Sequence, residues 1–127
     1  MARILYVTSR LPYPPREGHQ LRTWHLLRAV AQRHTVDLLS LQRPEDDALP
    51  APELQSTVQQ LVCEPLPRSQ DPYTLMRLAR ASLRADAWLP ARYVTPGLRA
   101  RFHALVAGAD LVHLDILAIA ALGLALQ

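Results

Sequence analysis

The first forty residues change hydrophobic period twice. Ile4-Leu5-Tyr6-Val7 is an unbroken apolar run of β-formers, too short for a helix. A polar, proline-rich loop follows and ends at Gly18. From Leu21 the apolar positions recur at helical spacing, with Leu21, Trp24, Leu27 and Ala31 on one face and Leu26 and Val30 widening it. The pattern predicts a helix from His19 to Arg33. After Arg33-His34 a second β-type run covers Thr35 to Leu41. Strand, loop, helix and strand in this order make a βαβ unit, whose crossover is right-handed as a rule. The loop after the first strand then lies beyond its carboxyl end, where open α/β sheets hold their ligands.

The rest of the chain continues the alternation. Gln42 to Pro52 is a polar connection, and its Glu45-Asp46-Asp47 reads as a solvated acidic loop. A short helix over Pro52 to Thr57 precedes a strand over Gln60 to Glu64, although Leu54, Val58 and Leu61 also fit one longer helix. Pro65 and Pro67 end the element in either case. Asp71-Pro72 is a helix start, with Asp as N-cap and Pro in the first turn. This helix is expected to turn Leu75, Leu78, Ala79 and Leu83 inward and Arg77, Arg80 and Arg84 outward. Thr95-Pro96 repeats the signal, Leu98, Phe102, Leu105 and Val106 form the next apolar face, and Gly108 is placed to end it. Leu111 to Leu114 reads as a fourth strand. Together these elements predict an α/β fold: a Rossmann-like parallel sheet of about four strands with helices on both faces. Ile116 to Leu126 is apolar all round, so as a helix it needs cover on every side. This predicts either a partial domain or a chain that uses a partner there.

Length and composition narrow the class. The chain has 127 residues, half of them apolar and a fifth charged, which suits one domain or part of one. Met1-Ala2-Arg3 leads straight into a short strand and does not read as a signal peptide. The apolar run at the end is about half the roughly 20 residues of a membrane span. The single cysteine, Cys63, fits a reducing cytoplasm and reads as a small core residue. All fourteen basic residues are arginine and are spread along the chain without a basic block. That distribution argues against a nucleic-acid surface, which would cluster arginines with aromatics between them.

No G-x-G-x-x-G follows the first strand, and neither a phosphate loop of the G-x-x-x-x-G-K-[ST] type nor G-x-S-x-G is present. The five histidines show no metal spacing with Cys63, so no metal site is expected. Two places carry candidate chemistry. Pro12, Pro14 and Pro15 stiffen the first loop, and Gly18 stands at the entrance to the helix, where free N–H groups and the positive dipole end attract anions. Arg22, a turn further on, could aim a cation into the same crevice. The alternative is that Gly18 only enables the turn and Arg22 is a solvated helix residue. His113 and Asp115 end the fourth strand on one face, and Asp115 is equally a cap for the helix that follows.

The order Ile4-Leu5-Tyr6-Val7, Pro12-Tyr13-Pro14-Pro15, Gly18, Arg22, Leu26-Leu27, Ala31, His34, Val36 and Leu38-Leu39 resembles the start of bacterial family 4 glycosyltransferases. The likeness is strongest to sugar transferases of exopolysaccharide clusters, with their L-P-x-P-P-x-x-G-x-x-x-R pattern. Ala109-Asp110-Leu111-Val112-His113-Leu114-Asp115 is similar to that family's fourth strand. The resemblance implies the N-terminal, acceptor-side part of a two-domain GT-B fold, with the C-terminal nucleotide-sugar domain absent from this chain. It implies sugar transfer from a nucleotide-sugar to a glycan or lipid-linked acceptor in cell-surface polysaccharide synthesis, without a metal or other cofactor and inactive in this part alone. Leaving-group charge would be neutralised by cations and helix N-termini. Carried over by position, Pro15, Gly18 and Arg22 belong to the donor-phosphate loop and His113 and Asp115 to the acceptor side. Gly18-His19 departs from the two adjacent glycines common in the family. The implied location is cytoplasmic, extending to the inner face of the membrane, although no basic amphipathic helix is legible to support the latter. A reading from another class is a non-catalytic α/β module that docks a partner, or a second copy, through Ile116 to Leu126.

Overall fold

A computed structural model describes residues 2–44, 46, 50–67, 71–83, 93–115, 119 and 121–124. The elements, in chain order, are β1 (Arg3–Thr8), α1 (Gly18–Ala31), β2 (Thr35–Gln42), α2 (Pro52–Thr57), β3 (Gln60–Pro65), α3 (Pro72–Leu83), α4 (Pro96–Val106), β4 (Leu111–Leu114) and a single turn, α5 (Ala121–Leu124). The four described strands form one parallel sheet in the order β3-β2-β1-β4. The fold is α/β and Rossmann-like.

Strand order and helix faces are linked. The chain moves outward from β1 to β2 to β3, then returns to place β4 on the other side of β1. Trp24 and Leu27 of α1 and Leu54 of α2 cover one face of the sheet, against Tyr6, Val36 and Leu38. Leu98 and Phe102 of α4 cover the other face, against Leu5, Val7, Leu39 and Leu41. Reversing the strand progression while switching the helix layer keeps one hand of crossover throughout. The central strands are buried on both faces, which is why they read as apolar runs rather than alternations. The strand order reverses between β1 and β4, and the carboxyl ends at such a switch point are where open α/β sheets hold ligands in a crevice.

Two expectations about facing are corrected, and one strand bound moves by a residue. On α1 the buried residues are Gln20, Thr23, Trp24 and Leu27, whereas Leu21 and Leu26 are exposed. The helix is rolled toward its polar side because Gln20 and Thr23 have partners there. Gln20 Oε1 accepts from the backbone N–H groups of Arg16 and Glu17, both at 3.1 Å, and its Nε2 donates to Leu11 O at 2.9 Å. On α3, Thr74 and Ala81 are buried while Leu75, Ala79 and Leu83 are exposed. Arg77 lies on the inner side, where its Nη2 donates to Val94 O at 2.8 Å and ties α3 to the start of α4. The moved bound is that of β3, which runs through Pro65, because the last ladder position leaves the missing N–H without consequence.

Local signals hold elsewhere. Thr95 Oγ1 accepts from Leu98 N at 3.1 Å, and Asp71 Oδ2 accepts from Thr74 N at 3.2 Å, so both cap signals are met. Helix α4 ends with Gly108 N donating to Leu105 O, and Gly108 needs no left-handed backbone to do so. Ile119 and Leu122 are buried in the core beneath β1 and α4, so these two are covered by the chain itself. The rest of 116–126 is outside the described residues, apart from the backbone of 121–124. Arg84 is outside them as well.

Candidate functional site

β1 and β4 pair in register from Ile4 with Leu111 to Val7 with Leu114, which sets Tyr6 beside His113. Their rings lie 4.4 Å apart between centroids, tilted by 35°. The next residue after β4, Asp115, donates its backbone N–H to Val7 O at 3.0 Å, so its position is fixed by the ladder. From α1, Thr23 Oγ1 reaches both Asp115 carboxylate oxygens, at 3.1 and 3.0 Å. Thr23 is buried and Asp115 half-buried. One hydroxyl hydrogen serves a carboxylate with about four lone-pair positions, so Asp115 keeps acceptor capacity toward the crevice.

The Tyr6 hydroxyl is buried under this group and makes no close hydrogen bond among the described residues. Its pKa is pushed up from 10.0 to about 12, first by burial and then by the charge of the nearby Asp115 carboxylate, with the Arg22 cation opposing and a long hydrogen-bonding contact to Asp115 adding to the rise. Thr8, on the same face of β1 by alternation, is buried with its hydroxyl also unpartnered among the described residues. Arg22 is exposed on α1 and has no ion-pair partner among the described residues. Orphaned buried hydroxyls are uncommon and usually mark a water or a ligand. Here Tyr6 and Thr8 lie on the same face of β1, and Tyr6 is near the Asp115 carboxylate and the Arg22 cation.

Gly18 and Pro15 stand apart from this group. Gly18 is the first residue of α1, exposed, with no left-handed backbone. A Cβ added there would meet nothing within 4 Å. The turn therefore does not require glycine, which corrects the expectation that Gly18 marks a sharp bend. Glu17, the N-cap, also places a carboxylate beside the helix entrance, 3.3 Å from Arg10 Nη1 and 3.3 Å from His19 Nδ1. An anion approaching Gly18 would meet that carboxylate together with Arg10 and the His19 imidazole. Pro14 and Arg16, on either side of Pro15, line a recess of about 20 Å³ with Arg10, Gln20 and Asp46. That is room for about one water, not for a sugar or nucleotide.

Arg10 and Asp46 form the floor of this recess, their side chains nearly buried and 3.5 Å apart. This ion pair, like the role of Thr23, was not legible in the sequence. Asp46 also accepts from Arg43 N at 3.0 Å, which fixes the loop after β2. The Asp115 cap predicted for the next helix falls on 116–118, outside the described residues. Among the described residues, no three His, Cys, Asp or Glu side chains are grouped to hold a metal ion. Comparisons with protein-family models, curated proteins and solved structures find no match to this chain.

Proposed function

We propose that this chain is the acceptor-side part of a nucleotide-sugar-dependent glycosyltransferase, in which the crevice at the ends of β1 and β4 receives an acceptor hydroxyl. One observation carries the reading. The two stretches that resemble family 4 transferases, the loop and helix through Arg22 and the strand through Asp115, meet at one point: Thr23 and Asp115, 92 residues apart, are hydrogen-bonded. A carboxylate oriented on both oxygens, beside an aromatic pair, is suited to accept hydrogen bonds from sugar hydroxyls. The exposed Arg22 is suited to a phosphate or carboxylate on the acceptor or donor. Donor binding and the reacting sugar would belong to a second domain, and no step in this reading uses a metal.

In the complete enzyme, Asp115→Asn is expected to raise the acceptor KM, with thermal stability close to wild type. Arg22→Ala is expected to reduce transfer without altering the melting temperature. Unchanged turnover in both variants would overturn the assignment of this crevice.

A further inference from the structure

Helix α1 buries two polar side chains, Gln20 and Thr23, alongside Trp24 and Leu27 on its inner face. Apolar packing needs neither, and each costs desolvation unless it is bonded. Gln20 is bonded three times. Its Oε1 accepts from Arg16 N and Glu17 N, both at 3.1 Å, and its Nε2 donates to Leu11 O at 2.9 Å. These bonds close the proline-rich loop at both ends onto the first turn of α1. Glu17 is also the N-cap, and its carboxylate lies 3.3 Å from Arg10, which in turn meets Asp46 after β2 at 3.5 Å. The start of α1 is therefore set by directional bonds to the loops after β1 and β2.

Three residues on, on the same face of the helix, the Thr23 hydroxyl reaches both Asp115 oxygens at 3.1 and 3.0 Å. A side-chain hydrogen bond is lost beyond about 3.5 Å, so a displacement of α1 by about 0.5 Å would release the carboxylate. Burial of Trp24 and Leu27 holds the helix against the sheet, but that attraction is non-directional and resists a slide of this size weakly. The Gln20 bonds do resist it. Without the Gln20 amide, the N–H groups of Arg16 and Glu17 and the buried Leu11 carbonyl lose their partner, and the loop must shift to bring them to water. The helix start moves with its N-cap.

We infer that Gln20 is a positioning residue for the Asp115 carboxylate, fixing the first turns of α1 so that Thr23 meets both oxygens. What the carboxylate then receives, a sugar hydroxyl, rests on the acceptor assignment proposed above; the positioning does not.

The test reads the carboxylate itself, through the carbon-13 chemical shift of Asp115 Cγ in the folded chain. Thr23→Val removes the hydroxyl and sets the shift of the released carboxylate. Gln20→Met should move the signal to nearly the same place. Gln20→Glu keeps acceptor oxygens for Arg16 and Glu17 but loses the donor to Leu11, and should move it in the same direction by less. A purely structural Gln20 would lower the urea midpoint and leave the signal at its wild-type position. That result in Gln20→Met, or in Gln20→Glu where Gln20→Met does not fold, would overturn the inference. Saturation transfer to glucose, galactose, mannose and lactose separates the two claims. A saccharide bound by wild type should lose about tenfold in affinity in Gln20→Met, the worth of one hydrogen bond to a charged group. Binding of none of the four by wild type would count against the acceptor assignment alone, the carbon signal still deciding the role of Gln20.

Discussion

Replacing Tyr6 by Phe removes one oxygen from the most buried part of the crevice and little else. The ring is 1% exposed, packs on His113 and belongs to the α1-side core, so Phe retains its contacts. The hydroxyl makes no close hydrogen bond among the described residues, its contact with the Asp115 carboxylate being a long one, so deleting it loses little bonding and relieves a desolvation cost. A buried unsatisfied polar group costs about 1–3 kcal/mol, and the half-buried Asp115 beside it leaves some solvation, so the low end applies. Tyr6→Phe is therefore expected to stabilise the chain by about 1 kcal/mol, or roughly 4 °C in melting temperature for a domain of this size. Urea denaturation with an unchanged m-value would measure it.

The alkaline limb gives a second readout of the same substitution. The folded phenol has its pKa raised to about 12 from 10.0, so between these values the unfolded chain loses its proton first. Stability should be fully retained below about pH 10 and fall as pH rises toward 12, and Tyr6→Phe should flatten that fall. A variant less stable than wild type by 1 kcal/mol or more would show that the hydroxyl is bonded in the folded chain, and would refute the open-crevice argument. Gaining stability while losing acceptor binding would be the usual exchange at a functional site.

Three further outcomes are expected. Thr23→Val is near-isosteric and removes the donor to both Asp115 oxygens, so it should cost about 1 kcal/mol by urea denaturation, solvent at half-buried Asp115 offsetting part of a charged hydrogen bond; no loss would mean that the pair does not form. Gly18→Ala should stabilise by about 0.5 kcal/mol, because the backbone and the open space both accept a Cβ, whereas a clear destabilisation would point to an unrecognised constraint. Cys63 has its pKa raised, first by burial and then by Asp46, so iodoacetamide should label it much more slowly than free cysteine at mildly alkaline pH; equal rates would contradict its placement.

Local chemistry made much of the fold legible. The four strands appear as short apolar runs, the Thr95 and Asp71 caps start their helices, and Pro52 and Pro96 stand in first turns as expected. What was not legible depended on partners distant in sequence. Periodicity put Leu21 inward on α1, but Gln20 and Thr23 are buried instead because the loop backbone and Asp115 satisfy them. On α3, the same reasoning put Leu75 and Leu83 inward. A hydrogen bond from Arg77 to Val94 O and the small volumes of Thr74 and Ala81 set the opposite face against the chain. Strand-end placement correctly put His113 and Asp115 on one face, yet nothing local announced that Tyr6, deep in an apolar run, would bring its hydroxyl to them.

The central claim is that the crevice between β1 and β4 is an acceptor site built around Asp115. Saturation-transfer NMR of this chain with a panel of mono- and disaccharides, comparing wild type with Asp115→Asn, tests it most directly. The account predicts weak transfer to at least one saccharide that is lost in the variant while the fold is unchanged. Saccharide binding that persists undiminished in Asp115→Asn would contradict it.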